Sequence, residues 1–299
     1  MTGGMTGRFM LAPADADVRA PRWLPREGSW DTHAHVFGPA ARFAIAPASP
    51  YDSPDQTARD YLHMLDAVGL THGVLVQPSA YGHDNTAMMA AVASAPSRLC
   101  AVVDLDPLAE RDAALEELSR AGAVGLRVRP SAMHAAQFAL IADRAKEVGW
   151  HLDLYIETID KLAALAPQIA RLDMPFVIEA IGEPRAGQPA DGAAFAALVS
   201  LVRDGAWVKL SHAYHIDPAG PPYAGTTPFA RALLAAAPDR CVWGSDWPHP
   251  MKSGVMPNDG ALLDLLLDWC DGDTALADRV LVDNPTRFYA RHHARKDAR

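Results

Sequence analysis

Eight short runs rich in β-branched and aromatic residues alternate with eight alanine- and leucine-rich segments, and this alternation constrains the fold more than any other feature. The runs are Ser29–His35, Gly73–Gln77, Leu99–Asp104, Val124–Arg129, His151–Glu157, Phe176–Ala180, Trp207–Ser211 and Cys241–Asp246. Segments with helical patterning fall near Thr57–Val68, Thr86–Ala93, Ala109–Arg120, Met133–Val148, Ile159–Ala170, Ala193–Leu201, Thr227–Ala236 and Gly260–Trp269. Strand, helix and strand in repeated succession specify a parallel sheet with crossover helices. Eight such units, spaced about 25–45 residues apart, fit an α/β fold of the closed (β/α)8 TIM-barrel kind. The rival is an open doubly wound sheet, which places a glycine-rich loop after an early strand. No GxGxxG or Walker pattern follows any of these runs.

A length of 299 residues suits one such barrel, and an apolar share of 49% supplies its core. Residues 28–299 therefore read as a single domain. Residues 1–27, with no continuous apolar stretch, read as a loose N-terminal arm rather than a signal peptide. A net charge of −9 argues against nucleic acid or an anionic membrane as partner. It leaves room for a small anionic substrate held by a few pocket arginines. Three widely spaced cysteines, Cys100, Cys241 and Cys270, make neither a disulfide framework nor a CxxC metal site. No apolar run is long enough to span a membrane, so the cytoplasm is the expected compartment. Nothing in the pattern separates a monomer from a homo-oligomer. The polar end His292–Asp297 reads as a solvated tail.

Barrel enzymes carry their chemistry at the C-terminal ends of the strands. The first run ends in Asp31-Thr32-His33-Ala34-His35, and strict alternation puts Asp31, His33 and His35 on one face. The segment from Val36 to Pro54, rich in prolines and aromatics, is a candidate wall or lid above that strand. The second run ends in Gln77-Pro78-Ser79, where Ser79 faces a ligand and Asp84 or Asn85 caps the next helix. On the fourth run, Val124, Leu126 and Val128 demand packing against helices, which turns Arg127 and Arg129 inward. A buried guanidinium needs a partner, and its planar fork suits a carboxylate, from a substrate or from an internal acid such as Asp153. Tyr155 follows Asp153 on the fifth run. Ser211-His212-Ala213-Tyr214-His215 leads from the seventh run into a Pro/Gly-rich loop, whose histidines have exposure as their ordinary fate. The eighth run ends in Asp246, an acid without a structural purpose on an otherwise apolar strand.

Taken together, these pieces resemble the amidohydrolase superfamily, and within it the amidohydrolase-related branch that contains 2-pyrone-4,6-dicarboxylate lactonases. The matching segments run in order from Asp31–Pro39 through Gln77–Ser79, Gly125–Arg127, Tyr155 with Glu157, and Asp217–Pro222 to Trp243–Pro250 and Asn284–Arg287. The resemblance implies hydrolysis of a small carboxylated lactone. Asp246 would activate water and His33 and His35 would polarise the carbonyl, while Ser79, Arg127, Arg129, Tyr155 and His215 would contact substrate. Two departures stand out: Glu179-Ala180 replaces the branch's Asp-His after the sixth strand, and His215 takes the place of an arginine.

Of the ligands that metallated relatives use, only His33, His35 and Asp246 remain. Three ligands still suffice for one catalytic zinc. The nearby guanidinium charges disfavour a dication, so the expectation is a site without a cofactor, a single zinc being the alternative. The rival functions are a zinc-dependent amidohydrolase or decarboxylase and a non-catalytic barrel that binds a carboxylated ligand.

Overall fold

A computed structural model describes residues 8–252 and 254–289. Its eight barrel strands are β1 (Trp30–Ala34), β2 (His72–Val76), β3 (Leu99–Val103), β4 (Ala123–Val128), β5 (His151–Leu154), β6 (Phe176–Ile178), β7 (Trp207–Leu210) and β8 (Cys241–Trp243). They lie side by side in chain order, and every pairing is parallel. The ring closes between its first and last members through a bridge joining Ala34 to Trp247. There His35 N–H donates to Trp247 O at 2.7 Å and Asp246 N–H to His33 O at 2.8 Å. The expected (β/α)8 barrel is thus the observed architecture, each strand lying within the run assigned to it or beginning one residue earlier.

The outer helices are α1 (Ala58–Val68), α2 (Thr86–Ser94), α3 (Asp112–Ala121), α4 (Ala135–Glu147), α5 (Ile159–Ile169), α6 (Ala193–Arg203), α7 (Thr227–Ala236) and α8 (Asp259–Trp269). In α1 the cause of each boundary is visible. Thr57 and Asp60 form a capping box at its start, Gly69 ends it with φ of 80°, and Tyr61, Met64, Leu65 and Val68 bury one face. At the start of α2, Thr86 N–H donates to Asp84 Oδ1 at 3.0 Å, so Asp84 has the capping role.

Alternation along the strands sends one set of side chains outward to the helices and the other into the barrel. Inside, Trp30, Val74, Val76, Cys100, Val102, Val124, Val177, Trp207 and Val242 pack with Phe288 and Tyr289; Val124, expected to face the helices with Leu126 and Val128, is turned inward where the β3–β4 register shifts. The last two come from the C-terminal helix Asn284–Tyr289, which plugs the barrel floor. Tyr289 stacks on Trp30, and Phe288 lies 4.9 Å from Trp207. The mouth at the opposite end is left for chemistry.

The described part of the N-terminal arm makes contacts of its own with the rest of the chain. Phe9–Met10 pairs in parallel with Tyr51–Asp52, and Arg22 bridges Asp264 and Asp268 on α8. Arginines in the arm meet acids on the barrel, a complementarity that composition alone does not reveal. Asp31, for its part, does not share a face with His33 and His35. The β1–β2 register shifts between Asp31 and Ala34, and this irregularity sends Asp31 outward. It accepts from Tyr61 Oη at 3.0 Å, from Ser245 N–H at 2.9 Å and from His33 N–H at 3.1 Å. Burial pushes its carboxyl up to about 6, against those hydrogen bonds. Asp31 bolts the first strand to the segment after the last. The tail His292–Asp297 lies outside the described residues.

Candidate active site

Three strand ends converge on Asp246, which is fully buried. Its Oδ1 lies 3.3 Å from His35 Nε2 and 3.6 Å from His33 Nε2. Its Oδ2 is held from the other side, by the hydroxyl of Tyr214 and by His212 Nε2 at 3.1 Å. Burial opposes the charge of Asp246, but His212 and then His35 outweigh it and hold the carboxyl well below the ordinary carboxylate range. Burial takes His212 down to about 4, against the pull of Asp246. Its Nδ1 lies 3.0 Å from Ser211 Oγ. The two oxygens of Asp246 therefore differ: Oδ2 is anchored, and Oδ1 makes no well-directed hydrogen bond.

Beneath this cluster lie two buried ion pairs. Arg127, on β4, forks onto Glu179 with distances of 2.9 and 2.7 Å and donates to Gln77 O at 3.1 Å. Burial works against the Glu179 charge, but Arg127 and then Lys209 take its pKa down to about 2. Lys209, on β7, contacts Asp153 on β5 and lies 3.2 Å from His33 Nδ1. Burial raises Asp153, which Lys209 counteracts. The carboxylate expected to meet Arg127 is thus Glu179, not Asp153, because Lys209 claims Asp153.

Of the remaining predicted contacts, Tyr155 is half-buried, with Arg127 5.1 Å and Arg129 5.3 Å from its ring centroid. Ser79 is exposed at the rim, 3.2 Å from Tyr51 Oη. His215 is exposed, its ring 4.7 Å from Tyr214 and 5.5 Å from His212. A cavity of about 410 Å³ is lined in part by Ser79, His83, Asp104, Arg127, Arg129 and Met133. Arg127 belongs to both the cavity wall and the buried network. In the segment after β1, Phe37 packs near Tyr81, whose hydroxyl accepts from Gly38 N–H at 2.8 Å.

A family model described as Amidohydrolase matches residues 30–291. The chain belongs to the amidohydrolase family. It is 34% identical over 277 residues to the 4-sulfomuconolactone hydrolase of Hydrogenophaga intermedia, with 90% of each chain covered. It is 32% identical over 289 residues to the 2-pyrone-4,6-dicarboxylate hydrolase of Comamonas testosteroni, covering 92% of this chain and 94% of that one. A crystal structure from Agrobacterium tumefaciens superposes with a TM-score of 0.79 at 28% identity, covering 91% of this chain and 98% of that one. The resemblance read from the strand ends therefore holds, and this amidohydrolase is an enzyme of the hydrolase class. Among its described residues, no helix is long and apolar enough to cross a membrane.

Metals are common in amidohydrolases, so the fit of the ligand set has to be tested. The nearest ligand atoms of His33, His35 and Asp246 all lie within 4.8 Å of one another. A ligating histidine donates its other ring N–H to an acceptor. His35 meets that requirement, its Nδ1 lying 2.7 Å from Val76 O. His33 does not, because its Nδ1 faces an ammonium, which has hydrogens to donate and no lone pair to accept. A second group, His33 with Asp153 and Glu179, already holds Lys209 and Arg127 as its cations. Neither set fits a metal bound through His33.

Reading the strand ends missed Lys209, His212 and Tyr214. Lys209 had a signal, since it alternates with Val208 and Leu210 on an apolar strand and so points inward. His212 and Tyr214 follow the strand in irregular backbone, with His212 at φ 63°, and no periodicity foretells where they aim.

Proposed function

We propose that this amidohydrolase opens a small carboxylated lactone by metal-independent hydrolysis. The observation that carries the reading is the asymmetry of Asp246. Oδ2 is fixed by Tyr214 and His212, while Oδ1 faces the two histidines of β1 as an ionised acceptor with room to take a proton. The relatives named for hydrolysis of sulfomuconolactone and of a pyrone dicarboxylate support the substrate class.

In this mechanism Asp246 Oδ1 takes a proton from water as the water oxygen bonds to the lactone carbonyl carbon. Negative charge then grows on the former carbonyl oxygen. His33, whose neutral ring carries its hydrogen on Nε2, donates to that oxygen; one such donor supplies about 10²–10³ in rate. His35, fixed through Val76 O, orients the water. Collapse breaks the ring C–O bond, and the proton on Asp246 passes to the departing oxygen. Arg129 and Tyr155 hold the substrate carboxylate, with Ser79 and His215 at the rim. Arg127 acts through its pairing with Glu179, which fixes the floor of the pocket. Three buried free cysteines suit the reducing cytoplasm.

A panel of carboxylated lactones, followed by acid release with and without a chelator, tests the reading. Turnover that survives chelation is expected. Activity abolished by chelator and restored by zinc, or no turnover of any lactone alongside turnover of an amide or acid, would overturn it.

A further inference from the structure

Among the groups that sequence reading did not single out, the buried lysine beneath the histidines has the most specific surroundings. Lys209 is fully buried in a strand whose other inward residue is Trp207 and whose outward ones, Val208 and Leu210, pack under helices. Burying an ammonium costs several kcal/mol unless it is well partnered. Asp153 from β5 supplies one partner. The second is His33 Nδ1 at 3.2 Å. A lysine that served only to neutralise Asp153 would have no need to reach a ring nitrogen of the site.

Hydrogen-bond direction then determines where the imidazole hydrogens sit. An ammonium only donates, so His33 Nδ1 must accept and the ring hydrogen must sit on Nε2. A carbonyl only accepts, so His35 Nδ1 must donate to Val76 O. The two Nε2 atoms are 3.3 Å apart, and the contact that sets the His33 hydrogen begins at the lysine.

We propose that Lys209 is a positioning residue that holds His33 as the Nε2–H tautomer, making His33 a hydrogen-bond donor to substrate and barring it from ligating a metal. Two consequences follow from one contact. The hydrogen points into the mouth, toward Asp246 Oδ1 and any carbonyl oxygen seated there. To bind zinc through Nε2, His33 would have to move that hydrogen to Nδ1 and aim it at an ammonium. Lys209 thus supplies fixed positive charge close to the place where metal-dependent barrels keep an ion. The kinetic consequence rests on the proposed lactone hydrolysis, but the tautomer and the metal exclusion do not.

The test uses the whole chain. Long-range ¹H–¹⁵N correlation spectra of ¹⁵N-histidine protein at pH 7, with His33 assigned by its loss in His33→Gln, are expected to show a protonated Nε2 and a bare Nδ1. Protein incubated with zinc sulfate and desalted is expected to hold far less than one zinc per chain. The paired variant Lys209→Met with Asp153→Asn removes both charges and so leaves no unpaired ion. It is expected to bind zinc at least tenfold more tightly and to lose about 10- to 100-fold in kcat with KM little changed, a part of the worth of one oxyanion donor. A protonated Nδ1 on His33 in the parent chain overturns the proposal, as does one zinc per parent chain. A paired variant with parental zinc affinity and parental kcat also overturns it. The two spectroscopic and metal measurements on the parent chain stand even where the variant does not fold. The expected tautomer in a protein that opens no lactone would count against the proposed function alone.

Discussion

Replacing Glu179 with glutamine removes the charge that balances Arg127, and the structure sets the size of the effect. The two side chains are 0% and 8% exposed, and the guanidinium forks onto both carboxylate oxygens. A carboxyl held at about 2 instead of 4.5 stabilises the fold by about 3 kcal/mol at neutral pH. Breaking a buried pair from one side costs about 3–5 kcal/mol, so Glu179→Gln should lose about that much at pH 7. The sign of the pH dependence is fixed, because the folded pKa is depressed. The stabilisation is complete above pH 4.5 and disappears as pH falls through 2. At pH 3 the difference between parent and variant should have narrowed by about 2 kcal/mol. Urea unfolding followed by tryptophan fluorescence at both pH values measures this. Arg127→Met combined with Glu179→Leu should recover most of the loss, since an apolar pair removes both desolvation costs. A single variant that loses less than about 1 kcal/mol, or a difference that stays constant from pH 7 to pH 3, would refute the reasoning.

Asp246→Asn should lower kcat by about 10²–10⁴ while keeping its unfolding midpoint, because the amide oxygen can still accept from Tyr214 and His212; steady-state kinetics beside thermal melts would show it. Arg129, which makes no ion pair among the described residues, should on replacement by methionine raise KM about tenfold with kcat nearly unchanged, as read from saturation curves. Asp31→Ala strands the buried donors of Tyr61, Ser245 and His33, and chemical denaturation should report a loss of about 3 kcal/mol or more.

The barrel was legible because each strand and helix advertises itself through local periodicity, and eight repetitions leave little choice of topology. Which residues gather at the strand ends was legible to nearly the same depth. His33, His35 and Asp246 do meet, and Arg127 does point inward to an acid. What escaped is what depends on register. Asp31 was placed by strict alternation, and the register shift in β1 turned it to the other side of the sheet. Arg127 stands level with Asp153 on the neighbouring strand, yet it pairs with Glu179 while Lys209 takes Asp153, so the partners are settled by side chains reaching across strands. No spacing within one strand encodes that. His212 and Tyr214 hold the Asp246 carboxylate from a turn that opens with left-handed backbone at His212, where side-chain direction follows no period at all.

The seam between the first and last strands carries a further meaning for how this enzyme comes into being. Asp246 and His33 are joined by a main-chain hydrogen bond at that seam. Asp31 and Ser245 meet beside it across 214 positions of chain. Contacts between such distant positions form late, after the loop entropy of everything between them has been overcome. Asp246 and the histidines beside it therefore come together only once the sheet has closed. Activity should appear during refolding only as the ring shuts, so the reaction itself serves as a reporter of the final, longest-range step in folding.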